Sequence, residues 1–180
     1  MRARIGITDI TVAIVVAVAL FLPARSSDVV AAYPDPKSRE IELAQAAVAA
    51  DAADGAAVER LVDRLIMAGQ LDWALRVAGA GARFETSPSH WRALLAVSSV
   101  HAERIEIPDA YQWANKAVLA CDADGADCAP HERVRLEVYV KELAAGVEAI
   151  RSGIDPSTDP FAFRKAIDTA YPRARLRPKP

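Results

Sequence analysis

The chain is short of glycine, cysteine and aromatic residues. Eight glycines in 180 residues exclude collagen-like and glycine-rich architectures. Aromatics make up 6%, and alternating valine–isoleucine–threonine runs are missing beyond the first thirty residues, which disfavours an all-β fold. Neither charge sign dominates. With 22 basic against 24 acidic residues the net charge is −2, so no global basic field points to nucleic acid. Motifs of chemistry are missing as well: there is no glycine-rich phosphate loop, no G-x-S-x-G, no H-E-x-x-H and no paired C-x-x-C. What is present is a 52% hydrophobic, 26% charged chain in which roughly a fifth of the residues are alanine, the strongest helix former. A chain of this length buries a core without dense disulfides or structural metal. The expectation is an all-α protein that is not an enzyme and carries no cofactor.

One long apolar run stands near the start, from Ile10 to Leu22, broken only by Thr11. Arg2 and Arg4 precede it, and Pro23 and Ala24-Arg25-Ser26 follow it, the layout of a secretory signal. Residues 1–26 therefore read as a signal peptide, or else as a retained membrane anchor. Thirteen helical residues rise about 20 Å, short of a hydrocarbon core of about 30 Å. Either way the preceding charges keep the start of the chain cytoplasmic and send the rest across. Cleavage before Ser27 would remove Arg2, Arg4, Arg25 and Asp9 and take the net charge from −2 to −4. Cys121 and Cys128 fit export: two cysteines at short spacing in an exported chain read as one disulfide, with two free or buried thiols as the alternative. The expected location is the periplasm, free or anchored to the inner membrane and facing the periplasm.

Residues 27–37 read as a linker, and helices follow. Asp35-Pro36 opens a first helix running to about Ala53, and Asp54-Gly55 breaks it. Val58, Leu61, Val62, Leu65 and Ile66 form the stripe of a second, which Gly69 stops. Leu71, Ala74, Leu75 and Ala78 mark a third. Ser87-Pro88 caps a fourth with the face Trp91, Leu94, Leu95, Ser98 and Ala102. Pro108 opens a fifth, and Pro130 the longest, which ends at Gly153. Asp159-Pro160 starts a short helix within 154–171 bearing Phe161, Phe163, Ala166 and Ile167. Prolines and like charges make 172–180 a disordered basic tail.

Ala74, Ala78 and Gly81 recur 36 residues on as Ala110, Ala114 and Ala117, small side chains at the same relative positions. Gly69-Gln70-Leu71-Asp72-Trp73-Ala74 introduces the first set, and Trp91 with Leu94 falls where a new unit would begin. This pattern resembles the tetratricopeptide repeat, whose 34-residue unit pairs two antiparallel helices, and the likeness covers about Ala57 to Ile150. Ser98 stands where that repeat usually has a tyrosine, Pro88 comes late, and the second unit is longer than the norm. The resemblance implies antiparallel hairpins over 38–153, stacked as a short solenoid. The first exported helix and the Pro130–Ile150 helix are expected as capping helices.

Site residues are few. The resemblance implies recognition of a protein partner, through the inner helices near Arg60, Arg92, Ser99 and Glu103. Asp122, Asp124 and Asp127 around Gly125 read as a surface turn, with calcium through carboxylate oxygen as the second reading. Trp91, Trp113, Tyr111 and Tyr139 read as core or as a binding platform, and His101 as a hydrogen-bonded boundary residue. Arg173, Arg175, Arg177 and Lys179 form a basic tail, either solvated or held to an anionic surface. The function expected is an exported adaptor or scaffold without catalysis. Its rivals are an accessory subunit of a membrane complex held by a retained N-terminal helix, and a small periplasmic enzyme.

Overall fold

A computed structural model describes residues 36–170, so the readings made for 1–35 and for the tail 171–180 fall outside the described residues. Seven helices follow one another among the described residues: α1 Pro36–Ala50, α2 Gly55–Met67, α3 Leu71–Gly81, α4 His90–Glu103, α5 Ile107–Cys121, α6 Pro130–Arg151 and α7 Pro160–Ala170. No strand occurs among the described residues, and the fold is all-α. No helix among the described residues is long and apolar enough to cross a membrane.

The helix ends have local causes. The Asp54 carboxylate accepts the Ala56 N–H at 2.9 Å and caps α2, which begins on Gly55 itself. Gly55 is buried against Ser89, whose hydroxyl accepts its N–H at 2.7 Å. Ser87 does not cap α4 as its position suggested: its hydroxyl donates to the Ala53 carbonyl at 2.7 Å, and α4 starts three residues later. Together these serines tie the α3–α4 loop to the start of α2. Gly69 ends α2 at φ +72°, with Gly69 N–H on Ile66 O and Gln70 N–H on Leu65 O. Gly153 ends α6 in the same manner at φ +92°.

Each helix from α2 to α7 packs on its neighbour in sequence, and α2 also packs on α4. Helix α4 is central. Trp91, Ala93, Leu94, Ala96, Val97, Ser98 and Val100 are all buried, more than one amphipathic stripe would place inside. One apolar cluster joins Val58, Leu61, Val62 and Leu65 of α2 to Ala74 and Ala78 of α3 and to Ala93, Ala96, Val97 and Val100 of α4. A second joins Trp91 and Leu94 to Ala117, Cys121 and Leu136, and a third joins Ile107, Ala110 and Ala114 to Leu143. The recurring small residues lie at these crossings. Ala74, Ala78, Ala110, Ala114 and Ala117 are fully buried, and a methyl on Gly81 would meet Val58 Cγ2 at 2.8 Å.

Two ends differ from expectation. The long helix α6 does not by itself cover its end of the array, because Phe163 and Ile167 of the expected short helix α7 close over it at Gly146. Phe161 lies two residues from Phe163, off its helical face, and is 88% exposed. At the other end α1 stops at Ala50 and lies against the core through the partly buried Ile41, Ala44 and Val48, with Glu40 pairing Arg64 at 3.0 Å.

Candidate functional site

Helices α1, α2 and α4 leave between them a groove of about 700 Å³. Leu43, Ala44 and Ala47 form one wall, Ile66 and Met67 the apolar part of the other. Leu43 is 64% and Met67 60% exposed, an unusual position for large apolar side chains in one depression. A second depression of about 320 Å³ lies between α2, α4 and α6, lined among others by Glu59, Leu95, Arg135 and Tyr139. Ser99 lines both, so the two form one surface along α2, α4 and α6.

Three of the four residues expected to meet a partner, Arg60, Ser99 and Glu103, line the first groove. Arg92 belongs to the second and is already engaged. Its guanidinium bonds Glu59 of α2 at 3.1 Å and Glu132 of α6, and lies 4.3 Å from the Trp91 ring. Side-chain exposures of 22%, 28% and 18% for Arg92, Glu59 and Glu132 make this a partly sheltered triad joining three helices. Burial raises the Glu59 carboxyl above its usual range, against the pull of Arg92. Glu132 moves the other way. The Ala129 N–H donates to it at 3.0 Å, and this with Arg92 outweighs its desolvation. Sequence reasoning missed Glu59 and Glu132; the one signal was their offset of 33 and 40 residues from Arg92, near the repeat length.

Cys121 and Cys128 form a disulfide, with Cα atoms 5.3 Å apart, which points to an oxidising, exported compartment. In the loop they close, Asp122 accepts from the Arg133 guanidinium, one contact at 2.8 Å, and Asp127 accepts the Trp91 indole N–H at 2.8 Å. Asp122 and Asp127 thus bond different donors, and the three loop carboxylates form no close ligand group among the described residues. Trp91 is core, while Trp113 is half-buried between two apolar clusters. Ser98, in place of the usual tyrosine, is fully buried and donates to the Ala110 carbonyl at 2.7 Å. The Tyr139 hydroxyl lies 3.3 Å from it, and burial raises the Tyr139 phenol.

His101, Glu106 and Asp109 bring ligand-type atoms within 4.8 Å of one another at the α4–α5 turn. His101 Nδ1 already bonds Glu106 at 2.6 Å, and the Arg104 guanidinium stands 3.8 Å from the same carboxylate. A cation beside Glu106 opposes a second cation there. The group serves as the stitching of a tight turn.

No protein-family model matches the chain, and no curated protein or solved structure is significantly similar to it.

Proposed function

We propose that this protein is a tetratricopeptide-like adaptor, working in the periplasm of a bacterial-type cell, that holds a segment of a protein partner without catalysis. The reading rests on one observation above all: two depressions sharing Ser99 run as one surface along α2, α4 and α6, the first helices of three successive hairpins. Contacts between neighbouring hairpins support it. Gly55–Ser89, Glu59–Arg92, Asp72–Arg104 and Trp91–Asp127 link residues 32 to 36 apart, the spacing of a stacked repeat. Stacked hairpins offer such a surface to an extended or helical segment, and preformed helices lower the ordering cost of holding it. The disulfide supports the exported side of a membrane.

A photo-crosslinking amino acid placed at Ser99 tests the reading in the bacterial envelope. The expected result is a discrete protein adduct from Ser99 and from Arg135, and none from Leu119, which is 71% exposed on α5 and lines neither depression. Equal labelling from all three positions, or none from Ser99, overturns the groove. The mass of the purified protein separates a free adaptor from an anchored accessory subunit, since only the former lacks the first 26 residues.

A further inference from the structure

The charges around the first groove are unevenly matched. Arg64 pairs with Glu40, and Arg60 reaches Asp54 at 4.0 Å. Asp63 and Glu103 line the same groove and form no ion pair or hydrogen bond with any described residue. Loss of water beside α2 raises the Asp63 carboxyl above its ordinary value, with only partial relief from Arg64. Two carboxylates without an ion pair or hydrogen bond thus line a depression that also exposes Leu43 and Met67 beside the partly buried Ile66.

We propose that the groove between α1, α2 and α4 docks a partner segment in which a lysine or arginine neighbours an apolar side chain, the cation lying between Asp63 and Glu103 and the apolar group against Leu43 and Met67. The proposal rests on the adaptor reading and adds the chemistry of the partner. An acidic segment would set like charges together, and a wholly apolar one would desolvate both carboxylates with nothing to compensate them. A cation on an aliphatic stem meets both requirements, because its methylenes cover apolar surface while its head reaches the carboxylates.

The test uses two fluorescein-labelled heptapeptides, one alternating lysine with leucine and the other glutamate with leucine, followed by anisotropy. The lysine peptide is expected to bind and the glutamate peptide not. The double substitution Asp63→Asn with Glu103→Gln should weaken the lysine peptide about fivefold to tenfold at low salt, a loss that shrinks as salt is added. Leu43→Ser should weaken it independently. The pair Glu85→Gln with Asp109→Asn, of equal charge change outside the groove, should leave it unaltered. Because Asp63 and Glu103 are exposed, an unchanged circular dichroism spectrum and melting temperature are expected for the first pair. Equal binding of the two peptides, or equal loss from both double substitutions, overturns the proposal. Should crosslinks from Ser99 persist while the lysine peptide fails to bind, the groove stands and its proposed chemistry does not; loss of both removes both.

Discussion

At the scale of single residues, Ile105 is the position most at odds with its backbone. It adopts φ +64°, a left-handed conformation that a β-branched side chain rarely takes. The reason is positional. Ile105 N–H bonds Ala102 O and Glu106 N–H bonds His101 O, the same closure that Gly69 makes 36 residues earlier and Gly153 makes after α6. Ile105→Gly is therefore expected to stabilise the protein by about 1 kcal/mol, the relief of strain exceeding the added chain entropy. A lower urea midpoint in the variant would refute this. The Arg92 triad gives a second residue-scale test, with two opposite signs. Glu59 has a raised carboxyl, so its contribution is fullest below its unfolded value and is lost as pH rises; Glu59→Gln should cost nothing, or stabilise, at pH 7. Glu132 has a lowered carboxyl, so its contribution is present above about pH 4 and is lost on further acidification. Glu132→Gln should cost about 1 kcal/mol at pH 7 and progressively less as pH falls below about 4, readable from urea midpoints along the titration.

At the scale of elements, the recurring small residues decide how closely helices approach. Two glycines of α3 separate packing from helix propensity. Gly81 faces Val58, whose methyl would lie 2.8 Å from an added Cβ, whereas Gly79 has nothing within 4 Å. Gly79→Ala should thus gain about 0.5–1 kcal/mol by propensity alone. Gly81→Ala should lose about 1–3 kcal/mol, because valine is stiff and the α2–α3 contact must open. Opposite shifts in melting temperature would verify the assignment; parallel shifts would mean that the crossing is not governed by side-chain size. The disulfide acts on the next junction, between α5 and α6. Reduction should lower stability by about 2–3 kcal/mol in the chain-entropy model, measured as the difference in urea unfolding with and without a thiol reductant.

At the scale of the whole molecule, the sequence disclosed helices more readily than surfaces. The stripe of α2, the glycine after it and the prolines opening α5, α6 and α7 are local signals, and local signals survive in one dimension. Helix α4 was legible only in part, because burial on several sides erases the periodicity that marks a face. The groove was legible only as a guess of helical phase: Arg60, Ser99 and Glu103 share it, but its wall in α1 and its unpaired Asp63 depend on contacts across the chain. Those contacts also predict an uneven stability. Helices α2 to α6 share the buried clusters, whereas α1 packs three partly buried apolar side chains on them and α7 has no buried residue. In an array held by neighbours, opening begins where one neighbour is missing. Amide hydrogen exchange should accordingly be slowest in α4, which is sealed between α2, α3 and α5, and faster by orders of magnitude in α1 and α7. If α1 exchanged as slowly as α4, it would be an integral part of the core, and the groove it borders would be a fixed cleft. Fast exchange in α1 with slow exchange in α2 would instead mark one groove wall as movable, letting the depression fit segments of different bulk.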